Sequence, residues 1–152
     1  MVGGKILHGM LHPEMGHIPL PRDTAKDPHP GICPYHQDCF EGLASGPALD
    51  ARWGQPAETL PEDHPAWELE ADYIALALQS FICTLSPRRI ILGGGVMSVQ
   101  HLFPLVRAKI ISHLNDYVQS SAILNEIDNY IVPPALTDNA GILGAAALAI
   151  TA

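Results

Sequence analysis

The stretch from residue 12 to residue 41, HPEMGHIPLPRDTAKDPHPGICPYHQDCFE, limits the possible folds more than any other part of the chain. It gathers His12, His17, His29 and His36 with Cys33 and Cys39, and it sets a glutamate near each end, Glu14 and Glu41. Residues 11–37 read as one long loop, and such a loop inside a compact domain is functional or is held by something other than a hydrophobic core. Zinc takes four N or S ligands in a tetrahedron, usually two of them from a short knuckle. Cys33-Pro-Tyr-His36-Gln-Asp-Cys39 supplies three candidates as C-x2-H-x2-C. The fourth must come from elsewhere, and His17, His12 and His29 are available. A site closed by four protein ligands is structural in type and pins a loop too poor in apolar residues to fold alone. The alternative, an exposed loop with two free thiols, gives no reason for both thiols to flank an imidazole.

The remaining chain fits one ordinary domain. Its 152 residues suffice for a real core. A 47% hydrophobic and 16% charged composition describes a globular protein. The net charge of −8 excludes an unspecific grip on nucleic acid, which needs clustered Lys and Arg. An anionic nucleotide could still be held by backbone amides and helix N-termini. No apolar run approaches the ~20 residues of a membrane span, and no secretory leader is visible, so the expected location is the cytoplasm. In a reducing cytosol Cys33 and Cys39 point to a metal more than to a disulfide. Cys83 falls in a helical apolar pattern and reads as a buried thiol.

Residues 4–9, GKILHG, read as a short strand with Ile6 and Leu7 inside. Residues 39–54 read as short helices broken at Gly46-Pro47, followed by a turn-rich linker through Pro56, Pro61 and Pro65. The clearest helix runs from about Ala66 to Leu85. Trp67, Ala71, Ile74, Ala75, Leu78, Phe81, Ile82 and Leu85 form one apolar stripe along it. Asp63 and Pro65 supply its start signals, and Ser86-Pro87 stops it. Arg88–Leu92 is a parallel-type strand running into Gly93-Gly94-Gly95. A second amphipathic helix, about Gln100 to Gln119, buries Leu102, Leu105, Val106, Ile110, His113, Leu114 and Tyr117. Residues 130–133 form a second strand, and a last helix spans about Asp138 to Ile150. This order is α/β.

The two glutamates need a separate account. Glu14 lies three residues before His17, and Glu41 two residues after Cys39. A metal held by those neighbours would fix both carboxylates beside it. Paired carboxylates on a rigid frame suit the adjacent hydroxyls of a sugar. Without that frame they are two solvated glutamates.

Glu14-Met-Gly-His17, then CPYHQDC, then FEGLASGPAL resemble the sugar-binding and zinc signature of the ROK family of sugar kinases. The C-P-x-H-x-x-C form is similar to its fructokinase branch. IILGGGVM (90–97) resembles the family's adenosine-side glycine turn. PPALTDNAGILGAAALA (133–149) resembles its C-terminal signature, with Thr137 where relatives often have glycine. The resemblance implies the C-terminal lobe of an actin-like, ribonuclease H-like sugar kinase with an inserted zinc-binding loop. A zinc and sugar subregion would span about 8–54, and a nucleotide-side region about 62–152. His17, Cys33, His36 and Cys39 would hold structural Zn2+, and Glu14, His17 and Glu41 would face sugar hydroxyls. Gly93, Gly94 and Gly95 would let the backbone approach a nucleotide, since a side chain there would collide with it. His12 and His29 would remain loop histidines.

The implied activity is phosphorylation of a hexose by ATP and Mg2+, fructose to fructose 6-phosphate, with a kinase for mannose or glucose as the alternative. The family's D-x-G-G-T phosphate turn and the aspartate that serves as general base have no match here. Asp38, Asp50 and Asp138 do not stand at that position. The chain alone is therefore expected to be inactive, with no catalytic residue of its own. A fold incomplete in this way would expose sheet edges and an apolar face, which favours a homodimer. A non-catalytic sugar-sensing or structural zinc module is the competing reading.

Overall fold

The computed structural model describes residues 1–136 and 139–151. Its longest element is helix α3, Pro65–Leu85. The start is set by His64, whose imidazole Nδ1 accepts from the Ala66 amide at 3.1 Å. Of the expected start signals Pro65 is in the helix, while the group that reaches the free amide is the ring of His64 and not the Asp63 carboxylate. Pro65 follows at the first helical position, where a missing N–H costs nothing. Ser86 ends the helix in the left-handed region, at φ 44°, and its amide donates to Ile82 O.

The apolar stripe of α3 packs on α4, Leu102–Leu114. Trp67, Ala71, Ile74, Ala75, Leu78 and Ile82 join Leu102, Phe103, Val106, Ile110 and Leu114 in one buried cluster. Leu85, at the end of the stripe, is exposed. So is Cys83, which lies beside the buried Ile82 but about 100° round the helix from it. Helix α4 is shorter than the periodicity suggests, because Asn115 and Asp116 both turn left-handed, at φ 44° and 59°. Tyr117 therefore falls beyond the helix and is 84% exposed. His113 is half-buried, with Nε2 3.0 Å from Asp72 Oδ1 on α3.

Strand β1, Ile90–Ile91, pairs in parallel with β2, Ile131–Val132, in the register Ile90 to Ile131 and Ile91 to Val132. Helix α4 forms the crossover between them, as a parallel pair requires. Arg107 on α4 closes the unit, donating to Ile131 O at 2.7 Å and pairing with Asp128 at 2.8 Å. Both strands are shorter than expected. Tyr130 belongs instead to a short helix, α6 (Ile127–Tyr130), which follows α5 (Ser121–Leu124). Neither carries enough residues to show a helical period in the sequence.

Helices α1 (Phe40–Ala44) and α2 (Gly46–Trp53) break at Ser45, not at Gly46-Pro47. Ser45 Oγ accepts from the Ala48 amide and caps α2, so Gly46 and Pro47 form its first turn. The strand expected at residues 4–9 is absent. Val2 and Lys5 bridge across Gly3 and Gly4, and Ile6 and Leu7 are exposed. A strand needs a partner, and among the described residues none lies alongside. The last helix, α7, runs Ala140–Thr151 with Ile142, Leu143, Leu148 and Ile150 exposed. Thr137 and Asp138, named above in the C-terminal signature and helix start, lie outside the described residues.

Glu70 is the unexpected member of the core. It is fully buried on α3, and its carboxylate has no hydrogen-bond partner among the described residues. Burial pushes its pKa up to about 8, against the opposing charge of Arg52. The folded protein thus keeps this proton between 4.5 and 8, where the unfolded chain releases it. Stability falls as pH rises through that window. Urea midpoints should show this decline in the wild type and a flatter profile in Glu70→Gln. A decline of equal slope in the variant would assign it to other groups. At the helix interface, Ile110→Ala should cost roughly 2–5 kcal/mol, and Tyr117→Ala within about 0.5 kcal/mol. Equal losses in denaturant titrations would contradict the burial assigned to each.

Candidate functional site

The proline-rich loop folds back on itself so that its two ends meet. Pro19 and Cys39 form an antiparallel bridge, and the Phe40 amide donates to Ile18 O at 2.9 Å. This sets the turn Met15–His17 beside the start of α1. Between those ends, Cys33 and Gln37 exchange backbone hydrogen bonds of 3.2 and 2.9 Å, with Gln37 left-handed at φ 59°. The Ile32 amide donates to Gly42 O at 3.0 Å, tying the knuckle to α1. Two glycines make this packing possible. A Cβ on Gly42 would overlap the Gln37 carbonyl oxygen and lie 2.9 Å from Cys33 Cβ. One on Gly31, which sits at φ 88°, would strike the same carbonyl. Neither glycine stood out in the sequence, because the requirement comes from a neighbour brought in by the fold.

The result is a four-residue cluster. His17, Cys33, His36 and Cys39 each bring one ligand atom within 4.8 Å of all the others. Cys33 Sγ lies 3.7 Å from His17 Nδ1 and 3.8 Å from His36 Nδ1, and Cys39 Sγ lies 3.6 Å from His17 Nδ1. Zinc at its usual bond lengths to S and N gives a tetrahedral S to N edge of about 3.6 Å. The donor set therefore fits a closed zinc site. His12 and His29 are not part of it: His12 faces the His8 ring, and His29 Nδ1 accepts from the Gly31 amide. Both sulfurs are free thiols and buried. The amides of His36 and Tyr35 stabilise a Cys33 thiolate and bring its pKa down to about 7. Burial pushes the Cys39 thiol up. Two sulfurs this close do not both ionise easily without a cation between them.

His17 uses its two nitrogens on opposite sides. Nδ1 faces the sulfurs, and Nε2 lies 3.5 Å from Glu41 Oε2. Glu41 is on the first turn of α1 and largely open to solvent. Glu14 stands exposed at the head of the Met15–His17 turn, its carbonyl accepting from the His17 amide. The loop thus brings His17 and Glu41 into contact and leaves Glu14 at the other end of one short turn.

A cleft of about 870 Å3 opens beside α1. Phe40 and Ala44 of α1, Ser45 to Pro47, and Gly93 to Gly95 line it. That volume suits a drug-sized or cofactor-sized ligand. Gly93 is confined by Pro134, whose ring would lie 2.7 Å from an added Cβ. Gly94, at φ 98°, and Gly95 have open space where a side chain would project. The three glycines after β1 thus divide into one packing position and two that leave the cleft clear.

The sequence profile of the ROK family matches residues 1–152. A Bacillus subtilis (strain 168) protein is 49% identical over 149 residues, 98% of this chain and 50% of its own length. The fructokinase of Pediococcus pentosaceus is 42% identical over 144 residues, 95% of this chain and 48% of that enzyme. Among solved structures, the ROK hexokinase from Thermus thermophilus has a TM-score of 0.70. It is 22% identical, over 98% of this chain and 52% of its own, so the likeness is one of fold. The chain spans about half the length of the curated relatives it matches.

One glycine within α1 and one at the start of α2 give a direct check on the knuckle packing. Gly42→Ala should cost about 1–3 kcal/mol, because a backbone carbonyl stands in the way. Gly46→Ala, with nothing within 4 Å of the new methyl, should be close to neutral. Thermal melts of both variants decide this, and a neutral Gly42→Ala would mean that the knuckle lies elsewhere.

Proposed function

The chain belongs to the ROK family, and on that premise we propose that it forms the C-terminal half of an ATP-dependent hexose kinase. The observation that carries this reading is the 42% identity to a named fructokinase along almost the whole chain. Fructose is accordingly the proposed substrate and fructose 6-phosphate the product. In this reading the chain is one lobe of an actin-like, ribonuclease H-like fold. Residues 8–54 form its zinc and sugar subregion, and residues 62–152 its nucleotide side.

His17, Cys33, His36 and Cys39 would hold a structural zinc. All four tetrahedral positions are then filled by protein, so the metal supplies a cross-link and no open coordination site. Glu14, His17 and Glu41 would orient the hexose through its hydroxyls. The 3.5 Å approach of Glu41 to His17 Nε2 supports a shared surface for them. The glycine-lined cleft would take the adenosine side of Mg2+-ATP, with Gly93, Gly94 and Gly95 against the nucleotide. Phosphoryl transfer depends on positioning and electrostatics. This chain would supply positioning, while the general base and the first phosphate cradle would come from the other half. Alone, it is proposed to be inactive. The exposed apolar residues of α7 support burial against that half or a second copy, as in a homodimer. A cytoplasmic location goes with this reading, since the zinc site needs Cys33 and Cys39 as thiolates and not as a disulfide.

Kinetics of the full-length protein on fructose, mannose and glucose test the proposal. Fructose should be phosphorylated with the highest kcat/KM, and Glu14→Gln should raise the fructose KM at least about tenfold, as loss of a charged hydrogen bond would. Zinc content should stay at the wild-type level. An unchanged KM would remove Glu14 from the sugar site, and no turnover with any hexose would sink the kinase reading.

A further inference from the structure

The metal knuckle accounts for residues 32–39 but not for the ten residues before it, which are as poor in apolar side chains. Their anchor is a buried ionic cluster. Asp27 is 3% exposed, yet it lies on a loop. Its Oδ1 is 3.2 Å from Arg52 Nε on α2, and its Oδ2 accepts from the Tyr73 hydroxyl on α3. The His29 amide also donates to Oδ1. Burial alone would raise the Asp27 pKa, but the Tyr73 hydrogen bond and the Arg52 charge outweigh it and hold the carboxyl below its usual range. Arg52 continues the chain of contacts, donating from Nη1 to Leu43 O within α1 at 3.0 Å. Arg22 grips the same loop from inside. Its guanidinium donates to the carbonyls of Asp27 and His29 and lies 3.5 Å from the carboxylate of Asp38, next to Cys39.

We infer that the Asp27–Arg52–Tyr73 cluster, joined by Arg22, is a metal-independent latch that presents the knuckle preassembled to its metal, with Arg52 as the positioning residue. Three features carry this. The cluster joins the loop to two helices without using a metal ligand. Arg52 and Arg22 each bond to a residue beside the knuckle, Leu43 on α1 and Asp38 before Cys39. Hydrogen bonds inside the knuckle, the close packing at Gly31 and Gly42, and the Pro19–Cys39 bridge that carries His17 hold the four ligand atoms together by contacts that need no metal. A loop held by the latch leaves a metal less to order, so less of the entropy of fixing a free loop opposes its binding. The latch rests on the zinc reading only for the identity of the ion received.

Hydrogen exchange with mass spectrometry on the full chain, with and without EDTA, tests this. In the wild type, chelation should leave 23–31 protected and speed exchange in residues 32–39 only slightly. A large rise in 32–39 would show that the metal, and not the latch, orders the knuckle. Tyr73→Phe keeps the ring and removes the bond to Asp27. It should speed exchange in 23–31 and weaken Co2+ binding, each by about tenfold, with unchanged thiolate-to-cobalt absorption bands. Arg22→Lys, which keeps the charge and loses the fork, should do the same should Tyr73→Phe fail to fold, and α4 amides report on that. Loss of protection in both segments together on chelation of the wild type would overturn the latch, as would unaltered exchange in the variants. If the zinc reading alone is wrong, Co2+ gives no thiolate bands and EDTA changes nothing, while the variants still loosen 23–31.

Discussion

Helix α3 is the wall on which both halves of the molecule are built. One face meets α4 and the parallel pair through Trp67, Ile74, Leu78 and Ile82. The other meets the loop and α1, with Tyr73 and Ala77 packed against Leu20 and Leu43. A helix apolar on two faces must be buried on both. α3 therefore requires the proline-rich segment to lie against it even though that segment brings few apolar groups. Leu20 and Leu43 are the buried apolar partners it offers, with Ile18, Phe40 and Ala44 partly buried beside them, and much of the remaining contact is polar.

That requirement explains why ionic groups occupy the interior here. Burying a charge pair is seldom a net gain in stability against apolar residues of the same size, since desolvation offsets the attraction. It does fix geometry when most lone pairs and donors are used. Asp27 accepts from Arg52, Tyr73 and the His29 amide, and Arg22 reaches backbone carbonyls that a loop cannot pair otherwise. The balance is tight, because Arg52 Nη2 and Arg22 Nε have no partner among the described residues. Burial raises the pKa of Glu70 to about 8, which favours its protonated form and weakens its claim on Arg52 relative to Asp27.

What the sequence revealed depended on distance along the chain. The α3 stripe and the C-x2-H-x2-C spacing are local patterns, and both match what the structure contains. Spacing alone leaves the fourth member of the cluster open among three histidines; the family resemblance names His17, and the Pro19–Cys39 bridge brings it beside Cys39, 22 residues away along the chain. The Tyr73–Asp27 bond spans 46 residues and left no trace in any periodicity. The strand ends, the start of α3 at His64 and the exposure of Tyr117 differ from the sequence expectation for a related reason. Each is decided by one residue's backbone state, and hydrophobic spacing says little about that. The resemblance to sugar kinases needed only the order of local motifs, which is why it could be recognised before the loop's anchor.

Helix α1 is where these constraints converge. It has five residues, too few to be stable in isolation. Cys39 in the knuckle starts it, Ser45 ends it, and Arg52 holds the Leu43 carbonyl between them. Glu41 projects from it toward His17, while Phe40 and Ala44 line the glycine cleft. Any ligand on the carboxylate side and any ligand in the cleft are therefore positioned by the same single turn. Transfer between two bound reactants needs their separation fixed to within a fraction of an ångström. In the proposed kinase a short helix clamped at three points would meet that need, and the three clamps are the Cys/His knuckle, Ser45 and the buried Arg52 guanidinium.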